Sequence, residues 1–189
     1  LEHSIDLIAL FSACQRFGLI LVPLNYKLST PEIFQQLKDC EPSLVIYSEF
    51  FSSPISLIKD SFETITLADF NHQVSKFIGQ ELILLNEIKE ELPVFLFYTS
   101  GTTAEPKGVL YTNKMLFWNS LNTTMQLGIS NQDTTLSILP PYHTSGWNIF
   151  VTPLLHNGGK ILMLSKFDPD KILYFLQQHK VTLMMALPT

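Results

Sequence analysis

YTSGTTAEPKGVLYT, residues 98–112, is the stretch on which the reading of this chain turns. It sets Thr99, Ser100, Thr102 and Thr103 around Gly101, then adds Pro106, Lys107 and Gly108, with apolar residues on both sides. A surface turn between two strands would draw on the same residue types. A lysine after a proline, between glycine-flanked hydroxyls, points to something more specific. Gly101 can take a positive φ and let the backbone approach a ligand closely. Successive N–H groups in such a turn form an anion-binding concavity. Ser100, Thr102 and Thr103 add hydroxyl donors, and Lys107 adds a mobile positive charge. The anion this set suits is a triphosphate. The P-loop pattern G-x-x-x-x-G-K-[ST] is not met, because Pro106 stands at its second glycine and Gly108 at its Ser/Thr. The residues after Lys107 also read as a strand, not as the helix whose N-terminus would hold the phosphate.

Outward from the loop, helical and strand patterns alternate, which defines an α/β architecture of mostly parallel sheet layers. Apolar spacing predicts a helix over 5–17, stopped by Gly18, and a buried strand over 19–24. Ser29 or Thr30 caps a helix with Pro31 and Glu32 in its first turn, running to Cys40. Strands are expected over 43–48 and 64–67, a short helix over 53–59 and a polar connection over 71–76. Strands over 94–98 and 108–111 flank the loop. A helix over 113–127, a strand over 134–139, a helix over 143–155, a strand over 160–164, a helix over 168–179 and a strand over 181–187 follow. Residues 1–91 form a first α/β portion and 92–189 a second, which carries the loop at 98–109.

The 189 residues are 46% hydrophobic, enough for a buried core. With a net charge of -5 and Arg16 as the one arginine, the chain lacks the basic face of a nucleic-acid binder. Cys14 and Cys40 fall in no ligand spacing and read as buried thiols in a reducing cytoplasm; no metal ligand is assigned. Apolar runs are far shorter than the roughly 18 residues of a membrane-spanning helix, and Leu1-Glu2-His3 opens without a basic signal region. Aromatic residues make up 12%, enough for a well-filled core or an apolar tunnel.

YTSGTTAEPKGV resembles the signature of the AMP-forming adenylating enzymes, which include acyl-CoA synthetases, peptide-synthetase adenylation domains and luciferases. Only Ala104 departs from it, where glycine is commonest. LILVPLNYKLSTPEIFQQLKDCEPSLVIYS, LPPYHTSGWNIFVTPLLHNGGKILML and the final ALPT are similar to further segments of that family. The resemblance spans nearly the whole chain, most weakly over 49–91. It implies part of the large N-terminal domain of a synthetase-like fold. It also implies a ligase reaction in which ATP and a carboxylic acid give an acyl-adenylate, with Mg²⁺, and coenzyme A as acceptor.

On that resemblance Thr99, Ser100, Gly101, Thr102, Thr103 and Lys107 are expected on the ATP phosphates, with Lys107 stabilising charge in the reaction. His143, which by itself could cap a helix or fill a core gap, then lies at the substrate carboxylate. Gly146 and Trp147 shape the acyl pocket, Trp147 having an equal claim to the core. His3, His72, His156 and His179 are read as surface or helix-end residues. The family's downstream Tyr-Gly-x-Thr-Glu segment, ribose aspartate and C-terminal-domain lysine have no counterpart here. The chain therefore reads as an internal fragment, inactive by itself. A short non-catalytic ATP- or phosphate-binding module, or an interaction remnant, is the alternative. A chain ending here would leave an open sheet edge liable to self-association.

Overall fold

The computed structural model describes residues 1–81, 87–99 and 106–187. In chain order the elements are α1 (Ile5–Phe17), α2 (Thr30–Cys40), β1 (Val45–Tyr47), a 3-10 turn (Glu49–Phe51), α3 (Ser52–Ser56), β2 (Thr64–Thr66), α4 (Leu67–Ser75), β3 (Pro93–Thr99) and β4 (Lys107–Thr112). There follow α5 (Asn113–Leu127), β5 (Thr134–Ser137), α6 (Ser145–Asn148), α7 (Val151–Asn157), β6 (Lys160–Met163), α8 (Pro169–Gln178) and β7 (Leu183–Met184). This is the expected α/β alternation. Among the described residues β1–β2, β5–β6 and β5–β7 run parallel, and β3–β4 antiparallel.

The helices begin and end on local chemistry. Ser4 accepts the Leu7 N–H to start α1, and Gly18, at φ 67°, ends it. At α2 the Ser29 N–H and hydroxyl both donate to the Glu32 carboxylate, which holds that carboxyl below its ordinary range. Thr112 accepts the Met115 N–H, and Gly128, at φ 66°, closes α5.

The chain divides into two compact units, Leu1 with Leu24–Leu84, and Glu2–Pro23 with Leu85–Thr189. In the first, β1 and β2 pair from Val45↔Thr64 to Tyr47↔Thr66. Leu37 of α2 packs with Val45, Ile55 and Ile58 into its core. The second unit holds two sheets, β3–β4 and the order β6-β5-β7. All four residues of β5 are buried, as a central parallel strand requires.

Four expectations need correction. The 19–24 strand is a single parallel bridge, Leu21↔Phe95, because Pro23 has no N–H to donate to the next rung. The connection over 71–76 is mostly α4, nucleated by Thr66, which accepts the Asp69 N–H. The helix over 143–155 is two short ones, α6 and α7, because Pro153 cannot donate back to Ile149 and Phe150 leaves helical geometry at φ -129°. The last strand shrinks to Leu183–Met184.

The second unit is organised around Phe95, which is fully buried. Its ring stacks on Phe11 of α1 at 4.9 Å, on Phe97 at 4.8 Å and against Trp147 of α6 at 4.7 Å. Truncation there removes a large ring and leaves a cavity. Phe95→Ala is expected to lower the unfolding free energy by about 3–5 kcal/mol. Leu173→Ala on exposed α8 should change it by less than about 0.5 kcal/mol. Urea denaturation of both variants checks the contrast.

Candidate functional site

Two of the residues expected on a phosphate ligand, Thr99 and Lys107, are brought together by the β3–β4 ladder. They sit directly opposite one another on its last rung, and the Thr99 hydroxyl donates to the Lys107 carbonyl at 3.4 Å. Ser100, Gly101, Thr102 and Thr103 lie outside the described residues. The ladder fixes both ends of the connection between Thr99 and Lys107. A Cβ at Gly108 would come within 2.8 Å of Leu96 Cδ1, so a larger residue there makes the end of that leucine turn aside. The Lys107 side chain is exposed, and among the described residues it has no carboxylate partner. Its charge is available to an anion. The following turn secures the strand pair from below, where Asn113 Nδ2 donates to the Lys89 and Leu92 carbonyls and Lys114 pairs with Glu91 at 3.1 Å. That pairing holds the Lys114 ammonium above its ordinary range, through the Glu91 hydrogen bond first.

His143, Gly146 and Trp147 belong to a second piece, the loop from the end of β5 into α6. Pro140 and Pro141 have no N–H, so this segment cannot stay in a strand ladder. It turns instead: His143 N–H donates to the Pro140 carbonyl at 3.2 Å, and the Trp147 indole N–H to the Pro141 carbonyl at 2.8 Å. Trp147 is 1% exposed, between Phe11 and Phe95, so its ring fills the core. Gly146 lies against the Pro140 carbonyl, where any Cβ would collide with backbone. It lines a cleft of about 10 Å³ with Thr135, Ser137 and Ser145, room for a single water molecule. His143 is exposed, and its ring rests on Tyr142 at 4.8 Å.

His3, expected as a surface or helix-end residue, is instead half-buried and tied to this loop. His3 Nε2 donates to the Leu139 carbonyl, 136 residues away, at the head of the same loop. Nothing near His3 in the chain signals that contact. Cys14 and Cys40, neither in a disulfide, are half-buried, and burial pushes the Cys14 thiol up. No described helix is long and apolar enough to cross a membrane, and no described group of His, Cys, Asp and Glu could hold a metal ion.

The β3–β4 pair and the parallel β6-β5-β7 sheet, whose central strand leads into a Pro-Pro-Tyr-His turn, define an α/β domain. The chain belongs to the AMP-binding enzyme family, whose model matches residues 1–189. It is 32% identical to the indoleacetate–CoA ligase of Aromatoleum aromaticum, over 98% of this chain and 38% of that protein. ATP-bound MatB from Rhodopseudomonas palustris superposes with a TM-score of 0.84 at 27% identity, over 98% of this chain and 37% of that one. The o-succinylbenzoate CoA synthetase of Bacillus subtilis, in complex with its acyl-adenylate intermediate, gives 0.82 at 27% identity, over 98% and 47%. The chain thus spans a little over a third of the length of the curated relative.

Desolvation lowers the affinity for protons of the half-buried His3 and, more weakly for a side chain that is exposed, of His156, the Leu139 carbonyl partly offsetting this at His3. Both pKa values lie lower in the folded state, so the unfolded chain takes up protons first as pH falls through about 6.5. Stability is therefore expected to drop from about pH 6.5 downward, and His156→Gln should flatten part of that slope. Thermal melts between pH 7 and 5 measure it. A slope that His156→Gln leaves unchanged would exclude His156 as a contributor.

Proposed function

We propose that this chain is part of a longer AMP-forming acid–thiol ligase, an acyl-CoA or aryl-CoA synthetase. In the first step a carboxylate oxygen bonds to the α-phosphorus of ATP, and the bond to pyrophosphate breaks. In the second, the thiol of coenzyme A takes the acyl group from the acyl-adenylate, losing its proton and releasing AMP. The observation that carries the reading is the closing rung of the β3–β4 ladder, which presents Thr99 and the exposed Lys107, without a carboxylate partner among the described residues, at the ends of a hydroxyl-rich stretch.

Thr99, Ser100, Gly101, Thr102, Thr103 and Lys107 hold the phosphates. Lys107 follows the charge that gathers on the departing pyrophosphate, where a positioned cation acts differentially on the transition state. His143 stands at the acid and thiol end, exposed on its proline-built turn, with Gly146 keeping the turn tight. The described residues contain no cluster of ligands suited to Mg²⁺, so no step is assigned to it. The aromatic acids in the names of the indoleacetate and o-succinylbenzoate enzymes support an aryl or arylalkyl acid as substrate. A cytoplasmic setting suits two cysteines, Cys14 and Cys40, that form no disulfide.

In the full-length protein, Lys107→Ala is expected to slow acid-dependent ATP–pyrophosphate exchange by about a hundredfold or more with an unchanged melting temperature. His143→Ala should impair use of the acid or thiol more than that of ATP. Exchange at the wild-type rate in Lys107→Ala would remove the phosphate role. A loss confined to thermal stability in His143→Ala would make that histidine structural.

A further inference from the structure

We propose that His3 is a positioning residue for the loop that carries His143, acting through the Leu139 carbonyl; this deepens the ligase reading above and rests on it. The segment 139–141 is short of backbone donors, because two of its three residues are prolines. Its three successive carbonyls each accept from outside a strand ladder: Leu139 from His3 Nε2, Pro140 from the His143 N–H, and Pro141 from Trp147 Nε1. Two of these donors are local to the turn. The third comes from the opposite end of the chain, and it holds the end of the loop nearest β5.

His3 is well placed to do this. Ser4, the next residue, is the N-cap of α1, so the helix start fixes the backbone on which the ring is mounted. Leu7 and Phe11 bury α1 in the second unit, and Phe11 packs on Trp147 at 5.3 Å. One helix thus reaches both ends of the turn: its Phe11 rests on the tryptophan that pins Pro141, and its N-terminal flank pins Leu139. His143 is exposed between these pins, and among the described residues the Tyr142 ring is the aromatic contact of its own ring. The direction in which it points is set by the turn beneath it, and an unmet Leu139 carbonyl would loosen that turn. The consequence falls on the acid and thiol end, away from the nucleotide loop.

The contact needs a hydrogen on Nε2. Glutamine carries its amide nitrogen at about that reach, whereas asparagine carries it at the reach of Nδ1. His3→Ala, His3→Gln and His3→Asn are therefore compared in the full-length protein, by amide deuterium exchange over residues 142–147 and by acid-dependent ATP–pyrophosphate exchange. His3→Ala should speed deuterium uptake there by up to about tenfold, the equivalent of one hydrogen bond. It should raise KM for the acid by about fivefold while KM for ATP stays put, and His3→Gln, unlike His3→Asn, should restore both. Unchanged uptake over 142–147 in His3→Ala overturns the proposal. So does a glutamine variant no better than asparagine, or uptake rising across the whole chain with both KM values. A wild-type protein without acid-dependent exchange, whatever the acid, overturns the ligase reading; the deuterium pattern then decides by itself whether His3 holds the loop.

Discussion

The contact of Phe95 with Trp147 is the point on which the second unit depends. Phe95 lies on the strand that runs into the lysine loop, four residues before Thr99. Trp147 lies on the short helix behind the His143 turn. The rings meet at 4.7 Å, with Phe11 closing the cluster from α1. A strand and a helix that hold different parts of a candidate site are thereby referenced to one dry, close-packed contact. Aromatic pairs of this kind contribute through the area they bury and through defined ring geometry. The indole N–H adds a directional bond to Pro141, so the same side chain both fills space and shapes backbone.

The anchoring of the lysine loop differs in kind from that of a helix-borne phosphate site. A helix N-terminus supplies a macrodipole and several convergent N–H groups. Here β4 follows directly, and its dipoles alternate in direction, so the fixed field is weak. On the proposed reading the full positive charge comes from Lys107, which has no ion-pair partner among the described residues; a carboxylate nearby would compete with a phosphate for it. Lys114, at the far end of the same strand pair, shows the contrast, being engaged by Glu90 and Glu91.

Much of this was legible in the sequence because it rests on short-range chemistry. Gly18 and Ser29 mark helix ends through a φ preference and a side chain, as the end of α1 and the cap of α2 bear out, and the strand after Lys107 follows from its apolar run. The resemblance carried by YTSGTTAEPKGV agrees with the family that the whole chain matches. Other features were missed because one residue outweighed the local pattern or because the partner is distant. The run 19–24 is apolar like a strand, yet only Leu21 finds a rung, since Pro23 withholds the next donor from a partner strand some seventy residues later. Residues 71–76 look polar enough for a linker, but a threonine cap five residues earlier sends them into α4. Trp147 had equal claims on pocket and core, and only packing places its ring in the core. The role of His3 lies in a contact with Leu139 that no local pattern encodes.

The order of the two units along the chain has a consequence for biosynthesis. The first unit is contributed by a nearly continuous stretch, Leu24–Leu84, and can close soon after it leaves the ribosome. α1 is made earlier still, but its partners Phe95 and Trp147 come much later. At roughly 5–20 residues per second, Phe11 waits on the order of 10 s for the tryptophan on which it packs. During that time Leu7 and Phe11 lack the partners that bury them in the second unit, while the residues of the first unit are already made. The second unit is thus completed only after the first has left the ribosome, and its earliest helix waits longest for its core.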